Sequence, residues 1–307
     1  ELAALGQQAG TLLVNHQFAE SYANRGYYMY SDLEDFLGLT FMADRTVMLP
    51  YYDFIRKYPE ALTDLNQKNN LAVVFPPRMN TANPNQKEWA FAISATLSEA
   101  NIQHDFIDLE KINDYKIIIV NGNAWSDEEV ERMFTFIKNG GTVIAYDSRF
   151  ASLDENYQNK FRSQLSGLKN NGTHTLGKGK FIFFNEDMGW QLWAYQKPAE
   201  KAKLVNVIQQ FTKADVAPKT VQVIPYTSGE RLVVHILNYD FQNKDFLEKK
   251  DFQVQIQIPG GFLTAGKTLK IVSPEFDEEK VVEFQRSENA ISFTVPTLRI
   301  WDVGILE

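Results

Sequence analysis

The sequence predicts an α/β protein: a flavodoxin-like open parallel sheet domain, followed by an all-β sandwich domain and preceded by an incomplete helical segment. Three observations carry this. Residues Tyr115 to Asp147 form a complete strand–helix–strand unit, strands and helices alternate from Asn70 onward, and near Val216 the pattern changes to strand after strand. These changes divide the chain into an aromatic-rich segment at 1–69, an α/β domain at 70–215 and a β-sandwich at 216–307.

The strand–helix–strand unit, YKIIIVNGNAWSDEEVERMFTFIKNGGTVIAYD, has its boundaries written in. Lys116 to Val120 is a short β-branched apolar run, as expected of a strand buried on both faces of a parallel sheet. Ser126 and Glu129 have the spacing of a capping box, in which each side chain satisfies a free backbone N–H at the helix start. Val130, Met133, Phe134 and Ile137 make one apolar helical face. Gly140 and Gly141 end the helix where a left-handed residue is needed, and Thr142 to Tyr146 gives the next buried strand. Around this unit, Leu71–Phe75, His104–Ile107 and Phe181–Phe184 read as strands. Lys87–Glu99 reads as a helix with Trp89, Ile93 and Leu97 on one face, and Ala199–Phe211 as a helix with Leu204, Val207, Ile208 and Phe211 facing the core. Residues 150–171 are polar and loop-like. Alternation of this kind implies βαβ crossovers and a parallel sheet.

Before the α/β domain, Leu2–Leu13 and Tyr51–Leu65 read as helices, but their apolar periodicity is too thin for a separate domain. The segment needs a neighbour to pack on. After Val216 come VQVIPY, RLVVHILNY, FQVQIQI, TLKIVS, VVEFQ, ISFTV and RIWDVGIL. Phe252, Val254, Ile256 and Ile258 alternate with polar residues, and Ser228-Gly229, Pro259-Gly260-Gly261, Ser273-Pro274 and Glu288-Asn289 supply turns. Trp301, alternating with Val303 and Ile305, reads as core.

Composition excludes several chemistries. The net charge of −8, with no basic stripe, opposes a nucleic-acid partner. No apolar run is long enough to span a bilayer. The absence of cysteine removes disulfides, thiolate metal sites and a cysteine nucleophile. There is no GxSxG elbow, and neither Gly140-Gly141 nor the GKGK at 177–180 has the pattern of a phosphate loop, so no cofactor is expected. His16, His104, His174 and His235 lack metal-ligand spacing, and His104 and His235 read as structural residues, so no metal is expected. The acidic runs at 154–156 and 277–279 read as solvated turns. Glu34 and Asp35 are the only carboxylates set among aromatics before the α/β domain, and packing of that segment explains them better than catalysis. Tyr28, Tyr30, Trp125, Trp190 and Trp193 are the candidate carbohydrate-binding residues, because sugar sites use aromatic platforms; packing at an interface is the competing reading for them.

The succession of the Tyr115–Asp147 unit, LGKGKFIFFNEDMG, a helix and VVHILNYD opening an all-β region resembles the C-terminal half of the family 42 β-galactosidases and related barrel glycoside hydrolases. The resemblance covers residues 70 to 307. It implies an amidotransferase-like trimerisation domain without amidotransferase chemistry, then a small β-domain, both following a catalytic (β/α)8 barrel. Residues 1–66 would then be the tail of that barrel, in keeping with a chain that begins partway through a helix. The partners implied are the barrel of the same protein, further copies of the chain and carbohydrate. A secreted or periplasmic location is implied as well. The family's catalytic glutamates lie on barrel strands that nothing here matches, so no catalytic residue is assigned. The resulting expectation is an accessory region of a carbohydrate-degrading enzyme, with a pair of carbohydrate-binding modules as the alternative.

Overall fold

A computed structural model describes residues 2–25, 48–75, 86–121, 126–146, 172–184, 186, 188–258 and 266–307. The chain folds as two compact units. One comprises residues 69–214, the other residues 1–68 together with 215–307.

The first of these units is built on strands β1 (Leu71–Val74), β2 (Asp105–Ile107), β3 (Ile117–Asn121), β4 (Thr142–Tyr146), β5 (Gly172–Leu176) and β6 (Gly179–Phe184), in the order β2-β1-β3-β4-β6-β5. All neighbours run parallel except β5, which pairs antiparallel with β6. Helices cover both faces. Helix α3 (Gln86–Glu99), α5 (Met188–Tyr195) and α6 (Pro198–Ile208) place Ile93, Leu97, Met188, Leu192, Leu204 and Ile208 over Val73, Ile119, Ile144, Tyr146 and Ile182. Helix α4 (Asp127–Lys138) puts Val130, Met133, Phe134 and Ile137 over Val120, Val143 and Phe181 on the opposite face.

The capping box at Ser126 is formed in both directions. The Ser126 N–H donates to Glu129 Oε2 at 2.6 Å, and the Glu129 N–H donates to Ser126 Oγ at 3.3 Å. Gly140 adopts φ +114°, a value open chiefly to glycine. Several boundaries differ from the sequence reading by one to three residues. The strand read as beginning at His104 begins at Asp105, and the helix read as Ala199–Phe211 runs Pro198–Ile208. The pairing of β5 with β6 was not read from sequence, because THT is polar and gives no apolar signal.

In the other unit, α1 (Leu2–Ala23) extends well beyond Leu13, since Phe18, Ala19 and Ala23 find a sheet to cover. Helix α2 (Leu49–Lys57) stops earlier than Leu65 because Pro59 opens a separate turn of 3-10 helix, Pro59–Ala61. The sheet beneath them has the order β13-β12-β16-β8-β7, from β7 (Val221–Ser228), β8 (Arg231–Asn238), β12 (Leu269–Ser273), β13 (Phe276–Val282) and β16 (Trp301–Leu306). Its second face packs on a smaller sheet, β11-β15-β14, from β11 (Lys249–Gln257), β14 (Phe284–Arg286) and β15 (Ala290–Leu298). The short pair β9 (Phe241–Gln242) and β10 (Asp245–Phe246) forms a separate hairpin. Asp277–Glu279, read as a solvated turn, lie within edge strand β13, and the VVEFQ strand is shared between β13 and β14 in different sheets.

Gly179 marks the tightest backbone approach in the first unit. A Cβ there would lie 2.1 Å from the Ile137 carbonyl oxygen and 2.2 Å from that of Gly141. Neither oxygen can move without undoing the end of α4. Gly179→Ala should therefore destabilise the 69–214 unit by about 3 kcal/mol or more, and Ser126→Ala by about 1 kcal/mol. Urea unfolding followed by tryptophan fluorescence will rank the two.

Candidate functional site at the carboxyl end of the parallel sheet

In open α/β sheets the carboxyl ends of the parallel strands face the crevice where ligands bind. Here β4 ends on Tyr146 and β6 on Phe184, adjacent in register, and their rings stack with centroids 4.8 Å apart and planes 12° apart. Tyr146 is fully buried, yet its hydroxyl has no hydrogen-bond partner among the described residues. Burial, reinforced by the nearby Glu186 carboxylate, pushes this phenol well above its ordinary range, so it stays protonated.

Glu186 follows β6 and leads into α5. Its Oε2 pairs with Lys203 of α6. Its Oε1 is buried without a partner among the described residues, and so is the amide oxygen of Gln191, on α5. Orphaned polar atoms of this kind are uncommon in folded proteins and call for an occupant or a role. Tyr146 and Glu186 were missed by sequence reasoning. The available signal was a tyrosine closing a largely apolar strand and a carboxylate two residues after FIFF, both at the carboxyl end of the sheet.

Of the candidate residues read from sequence, Tyr28, Tyr30, Trp125, Glu34 and Asp35 lie outside the described residues. Trp190 and Trp193 both sit on α5. Trp190 is half-buried and packs edge-on against Tyr195 at 5.0 Å. Trp193 and Tyr195 are exposed, at 45% and 53%, and the Lys197 ammonium lies 4.7 Å from the Tyr195 ring centroid. The structure thus places two of the five aromatic candidates on one short helix that also carries Gln191.

The β-rich unit holds buried ionisable groups of its own, and their geometry is structural. Glu275, at the turn from β12 to β13, takes the Tyr51 hydroxyl on Oε1 and the Trp301 N–H on Oε2 at 3.0 Å, with Ser273 Oγ 3.1 Å from Oε2. This carboxylate ties α2 to the sheet. Asp302 is wholly buried, and neither of its oxygens has a partner among the described residues. Burial, then the negative charge of Glu275, drives its pKa well up, while Ser273 and Lys280 oppose the shift. Two such carboxylates, closed off from solvent, cannot flank a glycosidic bond.

His235 stacks on Trp301 at 5.8 Å and accepts from its indole N–H at 3.2 Å; burial lowers its pKa to about 4. His104 bonds Ser94 Oγ at 2.6 Å and the Ile102 carbonyl at 2.9 Å. In the HILNYD motif Asn238 donates to the carbonyls of Leu247 and Arg299 at 2.9 and 2.7 Å, and Asp240 takes Lys249 and Gln242. The motif therefore fastens the β9–β10 hairpin to the sheet. Among the described residues no three His, Asp or Glu side chains gather as a metal would require, and no helix is long and apolar enough to cross a membrane.

No protein-family model matches the chain, and no curated protein matches it significantly. Solved structures do match. An α-L-fucosidase, isoenzyme 2 from Paenibacillus thiaminolyticus, aligns over 97% of this chain and 57% of its own, with TM-score 0.67 and 15% identity. A β-galactosidase from Bacillus circulans sp. alkalophilus aligns over 89% of this chain and 46% of its own, with TM-score 0.52 and 13% identity. A rhamnosidase from Novosphingobium sp. PP1Y aligns over 84% of this chain and 24% of its own, with TM-score 0.51 and 12% identity. The fold is that of a part of glycoside hydrolases, as the sequence resemblance implied. The chain spans about half the length of the first two.

The buried carboxylates give a pH signature. Asp302 has a higher pKa folded than unfolded, so stability is greatest below the unfolded carboxylate range and falls as pH rises toward the folded value. Above a pH of about 4 the wild type should lose up to about 1.4 kcal/mol per pH unit relative to Asp302→Asn. Urea midpoints measured from pH 5 to pH 9 will show it as a flatter profile for the variant; identical slopes would rule it out.

Proposed function

We propose that this chain is a non-catalytic support region of a carbohydrate-degrading glycoside hydrolase, whose catalytic residues lie outside it. The observation that carries this reading is the fucosidase comparison: nearly the whole chain is matched, but little more than half of the enzyme. The arrangement of the chain's own chemistry favours the same conclusion. Its Glu275 carboxylate is spent on tying helix to sheet, and its conspicuous motifs, the capping box and HILNYD, fasten elements together rather than present reactive groups. In this reading the partner is a catalytic barrel of the same protein, with residues 1–69 adjoining it. The α/β domain would serve assembly into a homo-oligomer, and the protein would work outside the cytoplasm on a carbohydrate.

A second reading, carbohydrate binding through exposed aromatics, draws support from the exposure of Trp193 and the placement of Trp190 beside it on α5. Tyr28, Tyr30 and Trp125 belong to the same proposal.

The chain alone should release no chromophore from nitrophenyl galactosides, fucosides or rhamnosides above the buffer rate. Turnover that disappears in Glu34→Gln would refute the non-catalytic reading. Light scattering of the chain co-produced with the remainder of its gene product should give a defined assembly; two species that never associate would speak against a support role.

A further inference from the structure

We propose that the end of α5 and the turn into α6 form an open surface subsite for an acidic saccharide. Trp193 and Tyr195 offer rings to the sugar, and the Lys197 ammonium pairs with a uronate carboxylate. The inference rests on the carbohydrate-binding reading of Trp190 and Trp193, and it adds the charge class of the ligand.

The first support is aromatic surface that the fold leaves uncovered. Helix α5 turns Met188, Gly189 and Leu192 inward, yet every residue from Trp193 to Ala199 is exposed. Two large aromatic side chains within three residues therefore stand in water, Trp193 at 45% and Tyr195 at 53% exposure. Apolar surface gathered in this way marks a contact surface, unlike single exposed hydrophobic residues, which are common.

The second support is that the group is held in place. The half-buried Trp190 packs edge-on against Tyr195, with ring centroids 5.0 Å apart and planes at 87°. Gln196 then takes φ +46°, a left-handed conformation uncommon outside glycine, and its N–H bonds the Leu192 carbonyl at 3.1 Å. That turn ends α5 and brings the Lys197 ammonium to 4.7 Å from the Tyr195 ring centroid.

The third support is an unspent charge. Two other lysines of α6 are neutralised, Lys201 by Glu99 at 2.6 Å and Lys203 by Glu186. Glu200, the acidic residue of the first turn of α6, keeps its Oε2 buried. Among the described residues no carboxylate pairs with Lys197, whose ammonium meets only the Tyr195 ring. An ammonium on a flexible stem takes a carboxylate as a point charge, without the fixed geometry that a guanidinium requires. A pyranose with a ring carboxylate fits this combination, because its C–H face suits an aromatic platform and its charge suits the lysine.

Isothermal titration of the full chain with trimers of galacturonate and of mannuronate, and with their methyl esters, tests the proposal. At least one acid should bind saturably and about threefold tighter than its ester at low salt. The preference should vanish at about 0.5 M salt, where exposed charges are screened. Trp193→Ala should weaken acid and ester alike, by about tenfold. Lys197→Gln should equalise the two without changing the affinity for the ester. Equal binding of acid and ester to the wild type, lost in Trp193→Ala, would overturn the acidic assignment and leave the carbohydrate-binding reading standing. Absence of saturable binding by all four probes would overturn both. So would light scattering that shows a dimer dispersed by Trp193→Ala and no saccharide bound, since the surface would then be a protein interface.

Discussion

The β-rich unit depends on a single strand that must serve two cores. Every residue of β16 from Trp301 to Leu306 is buried. Trp301, Val303 and Ile305 face α1 and α2, while Leu306 faces the smaller sheet. A strand covered on both faces cannot hold its register through amphipathic patterning, because neither side faces solvent. Its position is fixed instead by pairing to β8 and β12 on either edge, and by the Glu275 carboxylate, which accepts the Trp301 N–H and the Tyr51 hydroxyl together. Without that layer of helices, Trp301 would meet water.

This arrangement explains why polar groups lie so deep in the unit. Glu275 is costly to bury, but its donors come from α2 and from the strand it anchors, so it specifies how helix and sheet meet. Asp302 has no comparable compensation, and burial drives its pKa well up. His235 is kept neutral between Trp301 and Tyr226. These groups are occupied in architecture. In the parallel-sheet unit the Tyr146 hydroxyl and Glu186 Oε1 are, like the Asp302 oxygens, buried without a partner among the described residues.

Much of the fold was legible in the sequence. The β-branched run before Ser126, the capping box and the glycines after Lys138 each have a local physical cause, and each element formed where those causes put it. Trp301 was legible as core through its alternation with Val303 and Ile305. The packing partner of the N-terminal segment was not, because α1 and α2 bury residues such as Phe18, Tyr51 and Phe54 against strands more than two hundred positions away. The division of residues 276–286 between two sheets was hidden for a related reason: Phe276, Val282 and Phe284 suit either face. The unpartnered state of Tyr146 and Glu186 was not legible, because a missing hydrogen bond depends on three-dimensional surroundings rather than on residue type. The aromatic candidates at Trp190 and Trp193 were visible as a pair on a short helix, and that is where they lie.

Helices α1 and α2 are an integral layer of the C-terminal sheets, and one spectroscopic experiment tests this directly. Trp301 is the only tryptophan in residues 215–307. A fragment of those residues should emit at long wavelength when alone, with Trp301 wet, and should shift to the blue and unfold cooperatively once residues 1–68 are added. A 215–307 fragment that is already blue-shifted and cooperative, and unchanged by the added segment, would show that the helices are an appendage and not part of the fold.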